Sequence, residues 1–305
     1  MEQRVFITGG TGFIGSYVVR LLGQQGFDCY VLTRQDRVDK ENLHYLPGNM
    51  MDMACVQSYL HDIRPQVLVH LAWGVNSAGY AEDVHNSRWM QCSEDLLQAF
   101  LECGGRTVLS SGTCYEYNLD LPNPHREVET GEPLTMYGKS KLQTYRRFKS
   151  MCEHSGARLA WGRIFYAYGP GEPKRKIFTQ AIKSLMTGKS FVCQNPDNWL
   201  DYIYVEDVAR ILVALLVSGR AEGIFNLGTG QAIQLRTALV SLAKAMHREG
   251  QVDFGNGVTH DAVADMSKTQ QYYREDFTPL RQGLHRLASV LQRQYMVNSD
   301  GEVGI

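Results

Sequence analysis

The run "RVFITGGTGFIG" at 4–15 limits what this chain can fold into more than any other stretch. "RVFIT" is short, apolar and rich in β-formers, the pattern of a buried strand, and a helical pattern follows at about 13–25. Gly9, Gly12 and Gly15 permit a tight turn, close approach of the backbone to a pyrophosphate, and close packing of helix on strand. The helix start adds amide donors and the positive end of its dipole. Thr11, Phe13 and Ile14 fill out the same loop. The spacing is G-x-x-G-x-x-G rather than G-x-G-x-x-G, yet its place between a strand and a helix marks a dinucleotide site.

Similar units recur along the first half. Strand-type runs at 29–33, 67–72, 106–111 and 158–165 alternate with helical patterns at 88–102 and 137–151. Such repeats imply an α/β fold, a Rossmann-type doubly wound parallel sheet. After Tyr168 the texture changes to a loop, "YGPGEPKRK", then a helix ending at Gly188, then a strand running into a long helix at 197–219. The expected division is a dinucleotide-binding domain at 1–166 and a smaller substrate-binding part at 167–305, interleaved with the first around 200–230. The more polar C-terminal stretch reads as a cap.

Composition narrows the function classes. With 44% hydrophobic and 21% charged residues and a net charge of −1, the chain has no basic tract to meet nucleic acid or an anionic membrane. No apolar run reaches transmembrane length. Seven scattered Cys without C-x-x-C spacing, and an N-terminal stretch "MEQRVFITGG" without a signal-peptide pattern, point to a reducing, cytoplasmic compartment and no metal site.

Two local features carry chemistry. The second strand ends "VLTRQ" (31–35), with Thr33 and Arg34 where a carboxylate would bind the adenosine ribose. A guanidinium there suits a 2′-phosphate, so NADP(H) is expected ahead of NAD(H). The stretch "TMYGKSK" (135–141) puts Tyr137 and Lys141 on one helix face. Chance supplies roughly half of one such pair in a chain with 16 Tyr, so the pair takes its meaning from its setting. A lysine at that spacing is expected to lower the phenol's pKa from about 10 and make it a proton donor or acceptor.

The setting is supplied by eight motifs in order. They are the glycine loop at 8–15, "VLVHLAW" (67–73), "SSGTCYEY" (110–117), "YGKSK" (137–141), "GRIFYAYGPGE" (162–172), "DYIYVEDVA" (201–209), "FNLGTG" (225–230) and "ADMSK" (264–268). Together they resemble the extended short-chain dehydrogenase/reductase family of nucleotide-sugar epimerases, dehydratases and ketoreductases, over nearly the whole chain. The resemblance implies Tyr137 as catalytic acid/base and Lys141 as the group that holds the nicotinamide ribose. Ser111 and Thr113 are implied as the hydroxyls that steer the substrate's reacting oxygen. Ser110, Leu71, Ala72 and Trp73 would line the cofactor, with Asn49 and Met50 near the adenine and Ile164 and Phe165 around the nicotinamide. Tyr166 and Arg175 are expected at the substrate. Relatives pair through two helices, so a homodimer is expected through Trp89, Leu96, Leu97, Phe100, Tyr145 and Phe148.

Departures from the family pattern fall on the substrate side. An Arg ahead of "DYIYV" is replaced by Leu200, an Arg-Pro-Gly-Asp element by "VTHDAV" (258–263), and two Asn by Tyr166 and Trp89. The phosphates of a nucleotide sugar then fall to Arg163, Lys174, Arg175 or Lys176, or the substrate is of another kind; "KRK" alone reads as a solvated loop. Other residues have structural readings: His70 as a hydrogen-bonded core histidine, Cys114 as a buried thiol, Trp73 and Trp89 as packing, and Asp207 as the cap of the helix that follows. The expected activity is NADPH-dependent reduction of a 4-keto-6-deoxy sugar nucleotide, as in deoxysugar and cell-surface polysaccharide biosynthesis. An NAD(P)-dependent epimerase or dehydratase is the alternative, and a catalytically silent NADP-binding regulator is the reading from another class.

Overall fold

The computed structural model describes residues 3–75, 79–129, 133–257 and 259–300, the side chains of 298–300 aside. Met1 and Glu2 of the N-terminal stretch and Val258 of "VTHDAV" lie outside the described residues. Strand β1 (Arg4–Thr8) leads into helix α1 (Gly15–Gln24), followed by β2 (Asp28–Thr33), β3 (Leu43–Pro47) and α2 (Met53–Ile63). Next come β4 (Val67–His70), α3 (Asn86–Glu102), β5 (Thr107–Thr113), α4 (Met136–Ser155) and β6 (Arg158–Ile164). The second half holds β7 (Tyr166–Tyr168), α5 (Ile177–Met186), β8 (Phe191–Cys193), β9 (Trp199–Leu200), β10 (Tyr202–Tyr204) and α6 (Val205–Val217). It closes with β11 (Gly223–Leu227), β12 (Ile233–Gln234), α7 (Leu235–Ala245), β13 (Val252–Phe254) and α8 (Leu280–Asp300).

Seven strands form one sheet in the order β11-β6-β5-β4-β1-β2-β3, every pair parallel. The strand order reverses between β1 and β4, which opens a crevice at their carboxyl ends, the usual place for a ligand in such sheets. Both faces are covered. Val5 and Ile7 pack with Val18 and Leu22 of α1 and with Ile211 and Leu212 of α6. Phe6 faces the other way, toward Leu60 of α2, Leu96 and Phe100 of α3 and Phe148 of α4. A strand buried on both faces reads as a continuous apolar run, which is why "RVFIT" does not alternate. Burial of Phe100 and Phe148, each at 0% exposure, contributes roughly 1.5–3 kcal/mol apiece.

Local signals set the ends of the helices that carry the site. Thr135 caps α4, its side chain accepting from Gly138 N at 3.1 Å, and Gly156 closes the helix in a left-handed conformation. Asp52 caps α2 in the same manner. Asp207 does not cap α6. It lies inside the first turn, buried, accepting from Thr278 N at 2.8 Å and Thr278 Oγ1 at 3.2 Å, so it ties the C-terminal segment to the helix.

The apolar side chains expected at a dimer contact turn inward. Leu96, Leu97, Phe100 and Phe148 are core residues, Trp89 stacks on Trp73, and Tyr145 packs on Trp161. The outer faces of α3 and α4 instead carry Gln91, Gln98, Glu102, Gln143, Arg146 and Lys149. A helical pattern reveals that one face is apolar but not what lies against it; here that is the chain's own sheet. No helix among the described residues is long and apolar enough to cross a membrane, and no His/Cys/Asp/Glu cluster among them could hold a metal.

Candidate active site

A cavity of about 810 Å3 runs from the glycine loop to the start of α4. Its size lies in the range of cofactor and small-molecule sites. One end is backbone. Gly9 sits at φ +74°, and a Cβ there would stand 2.6 Å from Ala72 N, so only glycine lets β1's loop touch the segment after β4. A Cβ on Gly15 would overlap Gly9 O. Thr11, Gly12, Phe13 and Ile14 line the same end with Arg34, Asn49 and Met50. No acid stands in the first turn of α1, and no side chain among the described residues caps it. This cradle fits the pyrophosphate and adenosine of a dinucleotide: close-packed backbone, free helix amides, and an exposed guanidinium at the end of β2.

The middle of the cavity is lined by Leu71, Ala72, Trp73, Ser111, Thr113, Tyr137, Lys141, Ile164 and Phe165. Ser110, expected beside them, is turned away. Successive side chains on β5 point to opposite faces, and Ser110 is fully buried with its hydroxyl on His70 O at 3.1 Å. Thr8 lies 2.7 Å from His70 Nδ1 and Ser93 lies 3.0 Å from Nε2. Ser93 Oγ donates to Trp89 O at 2.7 Å, so it accepts from Nε2–H and leaves Nδ1 to accept from Thr8. Burial pushes this histidine down to about 3, so it is a neutral structural link.

Tyr137 is 9% exposed and boxed by rings, with centroids of Tyr80 at 5.2 Å, Trp73 at 6.3 Å and Tyr115 at 6.4 Å. Lys141 donates from Nζ to Ser111 O at 2.8 Å and stands 4.1 Å over the Trp73 ring. The electrostatics correct the simple expectation that Lys141 lowers the phenol. Burial raises Tyr137 well above its usual value, the phenols and charge of Tyr80 and Glu116 add to this, and Thr113 opposes it by hydrogen bonding. Lys141 is itself buried and pushed down to about 7, so near neutrality it carries only part of a charge.

The far end is aromatic. Tyr80, Trp89, Tyr115, Tyr166, Phe178 and Tyr202 line it, with Arg175 and Lys176 from the loop before α5. "KRK" is therefore not a solvated loop throughout. Lys174 is exposed, but Lys176 donates to Ala167 O and burial lowers its pKa. Arg175 donates to Val75 O and lies 4.7 Å over Tyr80, while its Nε is buried without a partner. Neither cation has a carboxylate within ion-pair distance among the described residues. Glu172, in the same wall, is engaged by Gly169 N, Thr179 N and Thr179 Oγ1. Arg163 does not reach the cavity; its Nε is paired with Glu116 Oε2 at 2.8 Å beneath the sheet end. Cys114 borders the cavity, but burial pushes its thiol up to about 12, which leaves it inert.

Three residues here had no sequence signal. Asn86, buried at the start of α3, accepts from Trp73 Nε1 at 2.8 Å and fixes that ring. His260 meets the Tyr166 hydroxyl at 2.9 Å through Nε2, and its backbone N donates to Asn198 Oδ1 at 3.1 Å. Glu116 sits inside a motif but shows nothing of its partners there. Leu200, in the expected arginine's place, is buried beside Asp201, whose carboxylate gathers Thr229 N, Thr229 Oγ1, Gly230 N and Ala264 N.

Residues 5–228 match the family described as the NAD dependent epimerase/dehydratase family. Among solved structures, a UDP-glucose 4-epimerase from Thermotoga maritima, with UDP-glucose, is 21% identical with a TM-score of 0.85, covering 96% of this chain and 100% of its own. A UDP-N-acetylglucosamine 4-epimerase from Methanobrevibacter ruminantium, in complex with UDP-N-acetylmuramic acid, is 21% identical with a TM-score of 0.85, covering 96% and 99%. The Bordetella bronchiseptica enzyme WbmH in complex with NAD+ is also 21% identical, with a TM-score of 0.79 and coverage of 96% and 99%. At such identities these three speak for the fold alone.

Proposed function

Given that the chain belongs to the NAD-dependent epimerase/dehydratase family, we propose that it epimerises a nucleotide-linked sugar by reversible oxidation of one carbinol carbon. The observation that supports this most is the single cavity joining the glycine loop to Tyr137, Lys141, Ser111 and Thr113. A nicotinamide dinucleotide, when bound, supplies hydride transfer. The glycine loop and α1 amides would hold its pyrophosphate and Lys141 its ribose. Tyr137 would take the carbinol proton as the carbon is oxidised and return it to the carbonyl oxygen on reduction, and its burial favours the protonated form that the return step uses. Ser111 and Thr113 would bind that oxygen as charge develops on it. Arg175 and Lys176 would take the substrate's phosphates in place of the arginine that Leu200 displaces.

A ketoreductase drawing on NADPH is the second reading, and Arg34 favours it. It borders the cavity at the end of β2, where no carboxylate among the described residues does. The deciding experiment incubates purified protein with UDP-hexoses, and separately with 4-keto-6-deoxy sugar nucleotides plus NADPH or NADH. Interconversion of two sugars without net change in reduced nicotinamide supports the epimerase. Stoichiometric loss of NADPH with a keto sugar moves the assignment to the reductase, and cofactor binding without turnover in either arm to a silent regulator.

A further inference from the structure

We propose that Glu116 is a positioning residue for the chemistry at Tyr137, a buried carboxylate that locks the turn after β5 and so sets the Thr113 hydroxyl and the first turn of α4. The proposal rests on the functional reading above, in which Tyr137, Lys141 and Thr113 act together. Glu116 is 1% exposed, yet its carboxylate has four contacts. Oε1 accepts from Thr113 N at 2.9 Å and Trp161 Nε1 at 3.0 Å. Oε2 accepts from Arg163 Nε at 2.8 Å and Trp161 Nε1 at 3.2 Å. Gly112 packs against both partners, for a Cβ there would overlap Trp161 and Glu116.

From this anchor a chain of close contacts leads to the reacting groups. Thr113 Oγ1 accepts from Tyr115 N at 3.3 Å, which leaves its own proton for the Tyr137 phenol. The next carbonyl, Tyr115 O, lies so near Gly138 that a Cβ on that residue would overlap it. Gly138 follows Tyr137, so the seat of the turn fixes where α4 begins and where the phenol stands. Displacement of Glu116 moves the hydroxyl and the phenol together.

Stability alone does not account for a charged pair here. A buried ion pair is often replaced by apolar residues without loss, because removing two charges from water costs as much as their attraction returns. This pair is also incomplete, since Arg163 Nη1 is buried without a partner. The carboxylate has a second use. The groups facing Lys141 are Ser111 O, the rings of Trp73 and Trp161, neutral His70, and Tyr137 on its own helix. Glu116 is the charge that opposes the loss of the Lys141 proton on burial.

The test uses NADPH and NADH as probes, their binding followed by fluorescence from pH 5 to about 9, the range in which Lys141 titrates. Wild type, Glu116→Gln and the double variant Glu116→Leu/Arg163→Leu are compared, with melting temperature recorded for each. Wild-type affinity is expected to fall as pH rises through Lys141's titration. In Glu116→Gln that fall should move acidward by about one pH unit, and in the double variant, which loses both charges of the pair, by less, with a melting temperature near wild type. Turnover should drop in both once the substrate is found. A wild-type midpoint in both variants overturns the proposal. So does failure of both to fold, which would make the pair a part of the fold and no more. If wild type binds neither nucleotide, the functional reading falls and takes the proposal with it; binding with unshifted variants overturns the proposal alone.

Discussion

The two ends of the cavity are built on different principles. The cofactor end is a backbone surface: Gly9 against Ala72, Gly15 against Gly9, and helix amides without a capping acid. The substrate end is a side-chain surface, six rings from as many separate elements around two cations from one loop. Backbone surfaces need glycine at fixed intervals within one short stretch, so they leave a trace in the sequence. Side-chain surfaces need only that distant residues meet, and they can change their ligand by substitution without a change of fold.

The largest effect should come at the junction of the ends. Tyr137→Phe removes the proton-transferring oxygen and is expected to lower kcat by about 10²–10⁴-fold with NADPH or NADH affinity unchanged, read by steady-state kinetics and a binding titration. An unaltered kcat would remove Tyr137 from the mechanism and dissolve the contrast. Next, Arg175→Met should raise KM for the nucleotide sugar by about 10- to 100-fold while leaving cofactor affinity alone, since it deletes a charge-assisted contact. If cofactor affinity fell instead, Arg175 would belong to the other end. Arg34→Ala should do the reverse, with a smaller loss of about tenfold in NADPH affinity and none for NADH, because an exposed guanidinium is screened by water. Equal losses for both cofactors would deny Arg34 any contact with a 2′-phosphate.

The last effect is on stability and is read along pH. Lys141 drops from 10.5 to about 7 on burial, so between those values the unfolded chain holds a proton that the folded chain has shed. Stability contributed at this position therefore rises with pH across that window, and below about 7, where both forms are protonated, the buried charge costs most. The excess melting temperature of Lys141→Met over wild type should shrink between pH 7 and about 10, by calorimetry. A constant difference would mean that Lys141 stays charged in the folded protein.

What could be read from the sequence follows the same division. The parallel sheet and the cofactor loop were legible because continuous apolar runs and spaced glycines are local signals, and Tyr137 and Lys141 because one helix face brings them together. Ser110 was misplaced by a single residue, which on a strand is the opposite face. Trp89, Leu96 and Phe148 were assigned to a partner because their helices show an apolar stripe but not its neighbour. Lys176 was left between phosphate and solvent, because the charge of its own stretch does not show that it lies in the cavity wall against Ala167. Asn86, Glu116 and His260 had no signal, for each acts through a partner that only the folded chain supplies: Trp73, Arg163, Tyr166.

Strand β11, which pairs with β6 at the edge of the main sheet, comes late in the chain, after α6. During synthesis, β6 leaves the ribosome well before residue 227 does. Until then its outer edge presents unpaired amides and carbonyls between buried residues such as Leu159, Trp161 and Ile164. An edge of that kind recruits whatever strand is nearest. A chain cut short before β11 would leave that edge open to such pairing.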